Sequence, residues 1–209
     1  MAQLLLALLV WAVVHSLTAG PRTKSFVRRL IGERAYQGTY RLVYNVFSAV
    51  TLVPVFYLLA VNLPNQVLWS VPAPYQWLNA VVQVAALAGL ALSLLQTDVW
   101  SFIGLRQLLR YLQGQEQPDP PARFVDRGTY ALVRHPLYFF SLLYLWVRPE
   151  MTISSLVLCL WVTAYFLIGS IFEERRLIRE FGAEYHAYRA RVPRLLPLRL
   201  PTYSGGGDK

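Results

Sequence analysis

Apolar blocks, several of them long enough to cross a bilayer, constrain this chain more than any other feature. A helical run of about 20 apolar residues spans the hydrocarbon core of a membrane. Five segments of this kind are read from the sequence, at residues 2–18, 42–61, 75–95, 137–146 and 152–172. The second, third and fifth are long enough to cross alone. The fourth is short; Leu132 and Val133 extend it, and the tight Val147-Arg148-Pro149-Glu150 turn makes it one arm of an antiparallel hairpin with the fifth. The expected fold is therefore an all-α, multi-pass transmembrane bundle of about five spans. It forms one domain over residues 1–203, with a disordered end at 204–209.

Charge sets the expected orientation. The formal net charge is +9, which in a soluble protein would suggest nucleic acid as a partner. Here the basic residues flank the apolar blocks, so they report orientation and lipid headgroups instead, and nucleic acid is excluded as a partner. Of the 20 Lys and Arg residues, all but Arg148 fall in the loops of one side, and the 62–74 loop carries no charge. By the positive-inside rule, residues 22–41, 106–134 and the tail from Arg175 are cytoplasmic. Residues 2–14 resemble the apolar part of a signal peptide. Yet no positive charge precedes them, and Arg22, Lys24, Arg28 and Arg29 follow, so the reading is a retained first helix with its N-terminus outside.

Two cytoplasmic stretches have helical character. Residues 100–112 carry apolar residues with Arg106 and Arg110, the pattern of an interfacial helix whose arginines face phosphate, and Pro118, Pro120 and Pro121 then break it. Residues 175–191 place Leu177, Phe181, Tyr185 and Tyr188 at helical spacing, with Gly182 as a weak point. Cys159 stands alone in an apolar block and reads as a small buried side chain.

With orientation fixed, the polar residues of the spans fall at one depth. His15 ends the first span, Tyr44 and Asn45 open the second, and Gln96 ends the third. Arg134 and His135 open the fourth, and Glu173 and Glu174 end the fifth. Ionisable groups at membrane depth are costly and face a cavity or a partner, so these residues read as one site. Adjacent helical residues point about 100° apart. Glu173 and Glu174 therefore divide their work, one facing a bound cation and the other pairing with Arg106, Arg134 or a tail arginine. Blander readings stand beside these: Arg134 as a snorkelling side chain, the glutamates as solvated charges, His15 as a hydrogen-bonded structural residue and His186 as a solvated one.

Three motifs in order carry a resemblance. Arg134-His135-Pro136-Leu137-Tyr138, then Glu173-Glu174-Arg175 after one span, then Phe181-Gly182-x-Glu184-Tyr185-x-x-Tyr188 resemble the integral-membrane methyltransferases, which include isoprenylcysteine carboxyl and phospholipid methyltransferases. His15-Ser16, Gly104-Leu105-Arg106-Gln107, Pro149-Glu150-Met151-Thr152 and Thr163-Ala164-Tyr165 look like the NnrU-like branch, which contains methanethiol S-methyltransferases. The chain departs from the pattern twice, with Phe140 at the glycine of R-H-P-x-Y-x-G and Arg176 where the branch has an acidic residue.

The resemblance implies S-adenosyl-L-methionine as cofactor, bound within about residues 96–197 on the cytoplasmic side of a bacterial inner membrane. Arg134 and His135 would meet its carboxylate and Glu173 or Glu174 its ammonium. Pro136, Tyr138, Tyr185, Tyr188 and Arg191 would shape the rest of the pocket, with the tail as a lid. His15, Asn45, Gln96 and Arg106 would face the methyl acceptor, a small thiol or a lipid-like molecule, with the bilayer as the other partner and no obligate protein partner. Thiolate, not thiol, is the nucleophile, and His135 and His15 are the candidate bases. NnrU-like proteins also resemble haem-dependent carotenoid isomerases, in which His15 would be an axial ligand. A non-catalytic protein on the same scaffold is the third reading.

Overall fold

A computed structural model of the chain describes residues 2–62, 66–115 and 124–198. In order, the helices are α1 (Ala2–Ala19), α2 (Pro21–Ile31), α3 (Glu33–Asn62), α4 (Gln76–Leu95), α5 (Val99–Ile103), α6 (Leu105–Leu112), α7 (Thr129–Leu132), α8 (Pro136–Trp146) and α9 (Ile153–Arg191). Two short strands, β1 (Val67–Ser70) and β2 (Glu150–Thr152), pair antiparallel. The protein is thus a helical membrane protein with one small ladder. Helices α3, α4 and α9 are each long and apolar enough to cross a membrane, and α1 with α2 makes a fourth candidate if that bent pair is one span; α8 is shorter. Most of the large apolar side chains of these helices are exposed, as expected where lipid supplies the apolar contact.

Several expectations are corrected. The stretch 22–41 is helical, because α3 starts at Glu33 and α2 precedes it with Pro21 in its first turn, where a missing N–H costs nothing. Between α1 and α2 the axis turns by 59°. Residues 100–112 are not one helix: Gly104 adopts φ 92 and divides them into α5 and α6. A Cβ at Gly104 would lie 2.5 Å from the Leu42 backbone nitrogen, so only glycine fits this corner. Leu132 and Val133 do not extend the fourth span. Leu132 closes the separate α7 and Val133 is extended, so α8 starts fresh at Pro136. Glu150 enters β2, opposite Ser70, rather than a simple turn. The expectations for Pro118, Pro120, Pro121 and 204–209 lie outside the described residues.

The chain divides into two compact units. The first takes residues 1–76, 97–123 and 149–165. Its core is Leu4 and Leu8 of α1 against Val55 of α3, with Trp11, Leu52, Val157 and Trp161 packed around them. The second takes residues 77–96, 124–148 and 166–209. Its buried cluster is Tyr185, Tyr188 and Val192, with Phe124, Leu177 and Phe181 around them. Helix α9 contributes to both units, and Gly182 interrupts it with φ 54 and ψ −123, a conformation open only to glycine.

Candidate active site

In the second unit, Pro136 begins α8 and leaves Arg134 and His135 on the extended segment before it. That segment is tied down by its backbone: Arg134 N–H donates to Pro193 O at 2.9 Å and His135 N–H to Arg194 O at 3.2 Å. Arg134 is engaged through all three guanidinium nitrogens. Its Nε and Nη2 each lie 2.8 Å from Glu174 Oε1, while Nη1 donates to Val192 O at 2.7 Å and Arg189 O at 3.0 Å. Glu174 is buried, and Arg189 and Arg194 approach it at 3.7 and 3.8 Å. This hub fastens the segment after α9 to the start of α8.

Glu173 is placed differently. It accepts from the Tyr138 hydroxyl at 3.0 Å, its Oε2 lies 3.4 Å from His135 Nδ1, and Arg176 reaches it only at 4.0 Å. Its side chain is 35% exposed against 8% for Glu174, so Glu173 is the carboxylate open to a ligand. Of the expected division, the pairing of one glutamate with Arg134 is present in Glu174, while both carboxylates also share His135.

His135 is buried between the two carboxylates, with Nε2 3.3 Å from Glu174 Oε1. Burial pushes its pKa down, but hydrogen bonds and charge from Glu173 and Glu174 outweigh that and raise it above the ordinary 6.5. With a carboxylate at each nitrogen, the ring holds its proton more tightly than a free imidazole does. Tyr138 stacks against His135 at 5.3 Å and against Phe166 at 4.3 Å, fixing the hydroxyl that holds Glu173.

The two tail tyrosines differ. Tyr188 donates its hydroxyl to Tyr130 O at 2.6 Å. Tyr185 is 1% exposed, and its hydroxyl has no hydrogen-bond partner among the described residues. A buried hydroxyl left alone costs about 1–3 kcal/mol, which is tolerable if a ligand satisfies it. Arg191 lies 3.8 Å from Asp126. The motif position held by Phe140 is compensated on α4, where the ring packs on Gly89; a Cβ there would come within 2.4 Å of it.

The remaining expected site residues have other partners. Gln96 accepts from Thr129 N–H and hydroxyl at 3.1 and 2.8 Å, holding the start of α7. In the first unit, Asn45 donates to Phe102 O and Ile103 O at 3.1 and 3.0 Å, satisfying carbonyls at the α5–α6 corner. Arg106 pairs with Asp98, the residue that caps α5. The ring nitrogens of His15 meet Ser48 Oγ at 3.0 Å and Tyr44 Oη at 2.8 Å, and Trp11 stacks on the ring at 4.8 Å. Both nitrogens are occupied and one face is covered, which does not fit a haem ligand. His186 is exposed.

Sequence reasoning allowed for a tail arginine beside a glutamate without singling out Arg189 or Arg194, and it missed the histidine–carboxylate contacts. The signal for the arginines was their place just after the tail tyrosines. The donor set of a half-open carboxylate, an orphaned hydroxyl and further arginines fits a group carrying both ammonium and carboxylate, as S-adenosyl-L-methionine does.

A family model described as NnrU protein matches residues 3–199. Methanethiol S-methyltransferase 1 of Bradyrhizobium diazoefficiens is 32% identical over 198 residues, covering 93% of this chain and 66% of that protein. Methanethiol S-methyltransferase 2 of the same organism is 34% identical, covering 92% and 71%. The methanethiol S-methyltransferase of Mycobacterium tuberculosis is 30% identical, covering 90% and 74%. The chain therefore spans 66–74% of the length of these relatives. No solved structure matches it.

Proposed function

The chain belongs to the NnrU family, and from that premise we propose that it is an S-adenosyl-L-methionine-dependent thiol methyltransferase of the membrane, with a methanethiol-like acceptor. The observation that carries this reading is the split between the paired carboxylates: Glu174 is spent on Arg134 and the tail, while Glu173 stays half-open beside the Tyr138 hydroxyl. Relatives at 30–34% identity named as methanethiol S-methyltransferases supply the acceptor class.

In this reading Glu173 takes the cofactor's ammonium and Tyr185 hydrogen-bonds the ligand through its orphaned hydroxyl. Arg134 is already committed, so the cofactor's carboxylate falls to Arg189 and Arg194. His135 stands between the two glutamates and fixes them in place, and Pro136, Tyr138, Tyr188 and Arg191 keep the pocket's shape. Bound there, the cofactor supplies an electrophilic methyl group on a sulfonium. The protein's task is to exclude water and align the acceptor sulfur, because positioning provides most of the acceleration in such a transfer. The basic stretches support a site on the cytoplasmic side of a bacterial inner membrane.

Calorimetric titration of S-adenosyl-L-methionine and S-adenosylhomocysteine into detergent-purified protein tests the reading. Saturable binding by the wild type that is lost in Glu173→Gln supports it. A folded, monodisperse wild type that binds neither compound refutes it.

A further inference from the structure

In the second unit, the segment that follows α9 turns back toward the membrane. Arg134 N–H donates to Pro193 O and His135 N–H to Arg194 O, so residues 193–194 run beside 134–135 and in the same sense. Beyond His135 the chain enters the apolar helix α8. Beyond Arg194 the tail therefore points the same way, out of the charged layer. The Arg194 side chain gives a second measure of depth. Its Nη2 donates to Leu167 O at 3.3 Å. Leu167 lies five residues before Phe172, the last apolar residue ahead of Glu173. At the helical rise this is about 8 Å inside the apolar stretch of α9.

We propose that residues 195–198 dip into the leaflet on the Glu173 side of the membrane, with Leu196 and Leu198 among the lipid acyl chains. Residues 195–198 carry no charge. Leu195 is buried against the protein, whereas Leu196 and Leu198 are 59% and 67% exposed. Exposed leucines are ordinary when scattered, but these two continue a lipid-facing surface. Leu167, Ile168, Ile171 and Phe172 of α9 are exposed around the carbonyl that Arg194 holds. That continuity and the depth of Leu167 make lipid the occupant. The backbone limits how far the segment goes. Residues 193–198 are irregular, and unpaired N–H and C=O groups are not tolerated against lipid in the hydrocarbon core. Pro197 removes one such donor. The segment therefore rests at the boundary between headgroups and acyl chains, where apolar side chains reach about 5–10 Å inward. Because the carbonyls of Pro193 and Arg194 hold Arg134 and His135, the bilayer helps to fasten the tail over the candidate site. The proposal requires that α9 lies in a bilayer, but not that the chain is a methyltransferase.

The test is spin-label depth measurement on the full chain in vesicles of phosphatidylethanolamine and phosphatidylglycerol. Cys159, the lone cysteine, is replaced by Cys159→Ala, and a nitroxide is attached at Leu196→Cys. Ile168→Cys, on the exposed membrane face of α9, and His186→Cys, on the exposed part of the tail helix, are the references. Relaxation by oxygen, which concentrates among acyl chains, is compared with relaxation by a water-soluble nickel chelate. The expected result is an oxygen-favoured ratio at Leu196→Cys, as at Ile168→Cys, and a nickel-favoured ratio at His186→Cys. A nickel-favoured ratio at Leu196→Cys places the segment in water and overturns the proposal. Low access to both reagents shows that protein covers the position and overturns it as well. Monodispersity and an unaltered circular dichroism spectrum establish that each labelled variant is folded. Leu198→Cys repeats the measurement at the second exposed leucine, so a misfolded Leu196→Cys protein leaves the same two results to decide.

Discussion

Glu173 and Glu174 are adjacent, identical and at the end of the same apolar stretch, yet the structure gives their removal very different consequences. Glu174→Gln takes the carboxylate from beneath Arg134, whose side chain is 9% exposed. Removing one partner of a buried ion pair costs about 3–5 kcal/mol, because the remaining charge is left unsatisfied in a low dielectric. His135 can relieve its share by losing its proton; Arg134 cannot. The carbonyls of Arg189 and Val192 still accept from Arg134, which puts the expected loss at the lower end, about 3 kcal/mol. Glu173→Gln removes a carboxylate that is 35% exposed and whose partners are a tyrosine, a histidine and a distant arginine. Its cost is about 1 kcal/mol or less. For a chain of this length about 1 kcal/mol shifts the melting temperature by roughly 2–4 °C. Thermal unfolding of the purified variants should therefore show Glu174→Gln melting about 6–12 °C below wild type, with Glu173→Gln within about 4 °C of it. Ligand binding should show the reverse ranking once the Glu174 variant is measured below its transition. Equal destabilisation of the two variants, or a Glu174→Gln loss under about 1 kcal/mol, would refute the division between a structural and a ligand-facing carboxylate.

Three further outcomes follow from the same geometry. His135 has a raised pKa in the folded state, so its contribution to stability is fully present below about pH 6.5 and is lost as pH rises through the raised value; unfolding measured across that window should show this slope, and His135→Asn should abolish it. Tyr185→Phe removes a buried hydroxyl with no partner among the described residues, so the ligand-free protein should be as stable as wild type or more so, by up to about 1–3 kcal/mol, while affinity for S-adenosyl-L-methionine falls; a destabilised variant with normal affinity contradicts the assignment. Gly89→Ala places a methyl against the Phe140 ring and should cost about 1–3 kcal/mol, with Phe140→Ala relieving part of that cost in the double variant, as a double-mutant cycle of melting temperatures would show.

Much of this was legible from residue order. The apolar blocks located α1, α3, α4, α8 and the membrane part of α9, because length and composition alone separate a bilayer span from a soluble helix. Helical geometry also anticipated a pairing of one glutamate with Arg134, but not that both would meet His135. What stayed hidden depended on the path of the tail. Nothing in spacing reveals that Pro193 and Arg194 offer their carbonyls to Arg134 and His135, so Arg134 read as a cofactor ligand when its donors are in fact held by Glu174 and two tail carbonyls. Gly104 was noted as part of a motif but not as a helix break, since periodicity reports side-chain direction and not a backbone sign change. The pairing of Phe140 with Gly89 joins residues on two helices distant in sequence, so a motif glycine appeared lost when its space had moved to α4. Gln96 and Asn45 looked like acceptor-facing polar groups; each instead satisfies backbone or hydroxyl groups at a turn, a use that composition cannot distinguish.

The most direct test of the central claim is product formation. Membranes containing the protein are supplied with methanethiol and S-adenosyl-L-methionine carrying a trideuterated methyl group, and the headspace is analysed by gas chromatography with mass detection. Dimethyl sulfide three mass units heavier than the unlabelled compound, formed by wild type and absent with Glu173→Gln, is the expected result. No labelled dimethyl sulfide from wild-type membranes that contain folded protein would contradict the assignment as a thiol methyltransferase with this acceptor.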